Sequence, residues 1–79
     1  MKRSWFHPPV AILLGRHVRR VNSLEIASET LKGDDWPLHD WSYQRAAEML
    51  GKALDGKATR EEARLAFEAA ARKADVLVR

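Results

Sequence analysis

Cysteine is absent from the 79 residues, which excludes disulfides, thiolate metal ligands and a cysteine nucleophile. Glycine is scarce, with four residues, and none of them builds a phosphate-cradling loop. Long hydrophobic runs are missing too: the longest, Val10 to Leu14, falls far short of the roughly 20 residues a bilayer-spanning helix needs. Acidic residues are wanting from the first 22 positions, which carry Lys2, Arg3, Arg16, Arg19 and Arg20. The rest of the chain has slightly more acid than base, so the net charge of +3 belongs to the N-terminal segment, where it can face an anionic partner. There is no internal repeat, low-complexity segment or interdomain linker.

What is present is the balance of a folded chain, with 46% hydrophobic and 32% charged residues. The expectation is one domain over residues 1–79, with 1–8 a flexible N-terminal tail. A core of this size supplies roughly 3 to 5 kcal/mol. Met1-Lys2-Arg3 precedes an apolar stretch as in a signal peptide, but Pro8-Pro9 interrupts it and no small-residue cleavage site follows. A cytoplasmic protein with no membrane partner is expected.

Thr59-Arg60-Glu61-Glu62 is a capping box, in which threonine bonds the N–H three residues on and Glu62 reaches back to the N–H of Thr59. Behind it Ala63, Ala66, Phe67, Ala70 and Ala74 recur at helical spacing. A stripe of four alanines around one phenylalanine can approach its neighbours closely, so this reads as the central helix. Val10 to Leu14 is apolar on both faces, as in a covered strand. Gly15-Arg16 is a turn, and His17 to Val21 a second, edge strand whose arginines discourage unwanted pairing. Asn22 or Ser23 caps a first helix to about Lys32 with Leu24, Ala27 and Leu31 inside and Gly33 at its C-terminal end. Asp40 or Ser42 opens a second helix with an inner stripe of Tyr43, Ala46, Ala47, Leu50, Ala53 and Leu54, closed by Gly56. Val76-Leu77-Val78 has strand preference and is expected to pair antiparallel beside Val10 to Leu14. The expected fold is α+β in two layers, β-β-α-α-α-β, with a three-stranded antiparallel sheet of order 2-1-3 covered on one face by three helices.

Pro9-Val10, Val21-x-Ser23, Ala27, Leu31, Trp36-Pro37, Tyr43-x-x-Ala46, Ala53-Leu54-x-Gly56, Ala63-Arg64-x-Ala66-Phe67, Ala70-Ala71 and Ala74-x-Val76 together resemble a family of short bacterial proteins, domain of unknown function 982. Its members are known mainly from rhizobia and related alpha-proteobacteria. The specific parts are Trp36-Pro37 before Tyr43 and the run Ala63-Arg64-x-Ala66-Phe67. Ile26 departs from the glutamate expected ahead of Ala27, and Leu50 stands where the family often has cysteine. The resemblance implies a fold and a bacterial cytoplasmic setting, and it carries over no activity, ligand or catalytic residue.

Arg16, His17, Arg19 and Arg20 share one hairpin, with Lys2, Arg3, Trp5 and Phe6 ahead of it. Cations interleaved with aromatics on a β-ribbon can hold phosphates and stack bases, whereas a solvated edge strand with a tail is the plainer reading. Asp34, Asp35, His39 and Asp40 fall in one loop, but without the spacing of a calcium loop or paired helical histidines, so no metal or cofactor is expected and Asp40 reads as an N-cap. Trp36 folds over the core. Trp41 has two readings, an exposed anchor for a partner or a lid over the core. Arg64 lies beside the alanine stripe and is expected to pair with an acid such as Glu68 or Asp40. Ser4, Ser23, Ser28 and Ser42 lack a nucleophile-elbow context, and no catalytic constellation is present. The functional expectation is a small non-enzymatic interaction or accessory domain. It acts on a protein partner or on a second copy of itself through the basic hairpin or an open sheet edge. The alternative is weak, salt-dependent nucleic-acid binding through the same arginines.

Overall fold

A computed structural model describes residues 5–78 of the chain. Its elements are β1 (Trp5–Leu14), β2 (His17–Ser23), α1 (Leu24–Lys32), α2 (Trp41–Leu54) and α3 (Arg60–Lys73). Antiparallel strands followed by three helices make the chain α+β, as the periodicities require.

The strands form a hairpin in which Leu14 faces His17, Leu13 faces Val18, Ile12 faces Arg19, Ala11 faces Arg20 and Val10 faces Val21. On its other flank Ile12 bridges Leu77 antiparallel, with Leu13 N–H donating to Val76 O at 2.8 Å and Val78 N–H to Ala11 O at 2.9 Å. The C-terminal segment therefore joins β1 through an isolated bridge and not through a ladder of its own.

β1 begins well before the expected first strand. Of the supposed tail over 1–8, residues 1–4 lie outside the described residues, and Trp5 to Pro8 belong to β1, where Trp5 pairs with Ser23. The register slips between Trp5 and Val10. That irregularity accommodates Pro8 and Pro9, which have no N–H to give a ladder. Phe6 is 2% exposed and part of the core.

The core is built around Phe67. Its ring lies 5.6 Å from that of Trp36 and 6.4 Å from that of Phe6, and Ile12, Val21, Leu31, Leu50 and Ala63 are buried with it. α3 touches β1, α1 and α2, while α2 packs chiefly on α1 and α3. Alanines at 46, 63, 70 and 71 are buried, and their small side chains let these backbones close on one another.

Each helix end has a chemical cause. Ser23 Oγ accepts from Ile26 N–H at 3.2 Å and Asp40 Oδ1 from Tyr43 N–H at 3.2 Å. The Thr59–Glu62 box is complete in both directions. α2 closes in a Schellman motif, with Gly56 at φ 79°, its N–H on Ala53 O and Lys57 N–H on Lys52 O. α3 repeats the motif with Asp75 at φ 63°, Asp75 N–H on Arg72 O and Val76 N–H on Ala71 O. This second motif turns the chain into its bridge with β1. Gly33, by contrast, is extended at φ −70°, so no left-handed conformation explains that glycine.

The inner face of α2 is rotated from the expected stripe. Ala47 and Leu54 are exposed, while Ser42 is buried and Met49 half-buried. Ser42 tolerates burial because its hydroxyl donates to Asp40 Oδ2 at 3.3 Å.

Candidate functional site

The β1–β2 turn is two residues long, and only Gly15, at φ 62°, takes a positive φ. That is the pattern of a type II′ turn, whose backbone twist matches the strands it joins. Residues 15–20 of the hairpin are all exposed, and burial resumes at Val21. Arg16, His17, Arg19 and Arg20 all fall in this stretch. Val18 among them is 66% exposed.

Backbone alternation sets what the outer edge of β2 offers. Ala11 O and Leu13 N–H are used by the C-terminal segment, so Ile12 directs its own groups to Arg19. Alternation leaves the N–H and C=O of Val18 and Arg20 pointing away from β1. Among the described residues no backbone group pairs with them. Side chains alternate as well: His17 and Arg19 share a face with Leu14 and Ile12, and Val18 and Arg20 share the opposite face with Leu13 and Ala11.

Arg16, Arg19 and Arg20 form no ion pair among the described residues. Glu29 and Asp35 line a hollow with His17 and Arg19, yet neither closes to ion-pair distance. Lys2 and Arg3 lie outside the described residues. The aromatic residues expected between the cations are elsewhere: Phe6 is in the core, and Trp5 pairs with Ser23 at the far end of the hairpin from Arg16.

Trp41 does not roof the core. It is 67% exposed in the first turn of α2 and lines an apolar groove of about 390 Å³ between α2 and α3 with Arg45, Met49, Glu62, Leu65 and Ala66. Sequence periodicity cannot show such a groove, because it lies between the outward sides of two helices whose relative rotation only packing fixes.

Asp40 is consumed as an N-cap, and the ring of His39 packs on that of Tyr43 with centroids 4.4 Å apart. No group of three or more metal-ligating side chains is assembled among the described residues. Arg64 is buried and pairs chiefly with Glu61, its Nη2 donating to Oε2 at 2.7 Å and its Nε to Oε1 at 3.2 Å. Glu68 lies farther, at 3.9 Å, and Asp40 is not a partner. The bidentate contact holds the Glu61 carboxyl below its ordinary range and raises Arg64 further.

No helix among the described residues is long and apolar enough to cross a membrane. No curated protein and no solved structure matches the chain. A family model does match, over residues 8–78, from the strand prolines through the C-terminal bridge. The chain thus belongs to the family described as protein of unknown function (DUF982).

Proposed function

We propose that this is an interaction domain whose working surface is the outer edge of β2, and that its partner is an extended, acidic protein segment. The observation that carries the reading is the pair of N–H and C=O sets at Val18 and Arg20, unpartnered among the described residues and flanked by Arg16, Arg19 and Arg20. An open edge adds a strand through main-chain hydrogen bonds, and side chains on the two faces select which strand. Arginines repel a basic strand and compensate an acidic one. Exposed Val18 gives an apolar contact between the charges.

A nucleic-acid partner would use the same cations, but no aromatic platform lies beside them, since Phe6 is buried and the half-exposed Trp5 sits at the far end of the hairpin. An acidic peptide is therefore the better fit.

A fluorescence titration separates the two. The probes are a synthetic peptide of alternating glutamate and valine and an oligothymidylate. The peptide is expected to bind, and Arg19→Ala with Arg20→Ala to weaken it by about tenfold or more. Tighter binding of the oligothymidylate, with a salt slope that falls by about one for each arginine removed, would replace this reading with phosphate recognition.

A further inference from the structure

The β2 edge is unsuited to a second copy of this chain, because antiparallel self-pairing sets Arg16, Arg19 and Arg20 against another set of arginines. The groove between α2 and α3 has the opposite character. Its floor and walls are apolar, with Met49, Leu65 and Ala66, and Trp41 and Leu65 stand 67% and 49% exposed beside it. Its charged members are one of each sign, Arg45 and Glu62.

A two-fold symmetric contact presses one patch against itself, so every group must find its complement within that same patch. A patch with charges of one sign fails that requirement. This one holds both signs, so a two-fold axis that sets Arg45 of one copy against Glu62 of the other repeats the pair. Arg45 has no ion pair among the described residues. Glu62 spends Oε1 on Thr59, which leaves Oε2 free to accept. Burying a tryptophan in such a groove supplies the kind of anchor on which interface affinity concentrates.

We infer that the α2–α3 groove is a homodimer interface, in which Trp41 of each copy enters the groove of the other and two Arg45–Glu62 pairs fix the register. The contact is independent of the β2 edge, so a dimer leaves both basic hairpins open.

The test is sedimentation of the full chain from about 1 to about 200 µM. A concentration-dependent dimer is expected. Trp41→Ala should weaken it by about 30-fold or more, and Arg45→Glu should give a monomer with an unchanged circular dichroism spectrum. Glu62→Arg should also be monomeric. An equimolar mixture of Arg45→Glu and Glu62→Arg chains should dimerise again, because each acid then meets a base. If Glu62→Arg unfolds through loss of its cap, the Trp41→Ala and Arg45→Glu results decide alone. A wild-type monomer at every concentration overturns the inference, as does a dimer that Trp41→Ala leaves intact. Arg19→Ala with Arg20→Ala should leave the dimer unchanged, and loss of the dimer in that variant overturns it too.

Discussion

The phenol of Tyr43 donates a hydrogen bond of 3.0 Å to the main-chain carbonyl oxygen of Leu31. It ties the first turns of α2 to the last turn of α1 and satisfies a carbonyl that α1 itself leaves without an intrahelical donor. Tyr43→Phe keeps the half-buried ring and removes only this bond. A loss of about 1 kcal/mol in urea unfolding is expected.

Phe6 decides whether the N-terminal segment is structure or tail. Its side chain is buried against Phe67, so Phe6→Ala should cost about 3 kcal/mol. In a domain of roughly 3 to 5 kcal/mol total stability, that leaves much of the chain unfolded at 25 °C. A flexible segment would give no change in the thermal midpoint.

Much of the architecture was legible in the residues, and the exceptions have physical causes. α3 could be read because the Thr59–Glu62 box and the spacing of Ala63, Phe67 and Ala70 all state the same helix. The hairpin was equally plain, since Gly15 stands where a two-residue turn needs positive φ. Trp5 to Pro8 was not, because two prolines normally exclude a strand, and only a slipped register admits them. The face of α2 was misjudged because apolar residues surround that helix, and burial of Ser42 depends on a bond to its own cap. The basic edge was visible as composition. That its backbone groups at Val18 and Arg20 face outward is set by the two-residue turn, which makes Leu14 and His17 a hydrogen-bonded pair, and the Ile12–Leu77 bridge on the other flank of β1, between residues 65 positions apart, agrees with it.

Asp75 holds a left-handed conformation, at φ 63°, that costs an ordinary L-residue about 1 kcal/mol. Asp75→Gly removes the cost in a motif that glycine normally fills. Stability should rise by up to about 1 kcal/mol, and Gly56→Ala at the equivalent position of α2 should lower it by a similar amount. Chemical denaturation of both variants checks the pair.

Acid should destabilise the chain through α3. Glu61 and Glu62 are held below the ordinary 4.5, Glu61 by the Arg64 hydrogen bonds and Glu62 by the Thr59 backbone and then its hydroxyl. Groups with folded pKa values below their unfolded ones bind fewer protons in the native state. Their stabilisation is complete above the unfolded value and is lost as pH falls through the folded one. The urea midpoint should stay flat from about pH 7 to about pH 5 and then decline. Glu61→Gln with Glu62→Gln should lower the plateau and flatten the decline.

Amide hydrogen exchange of β2, with and without the alternating glutamate–valine peptide, tests the account most directly. The amides of Val18 and Arg20 should exchange freely in the isolated chain and gain protection of about tenfold or more on addition of the peptide, while that of Arg19, already turned toward β1, stays as it was. Protection appearing elsewhere, or a complex in which Val18 and Arg20 exchange as fast as before, would contradict strand addition at this edge.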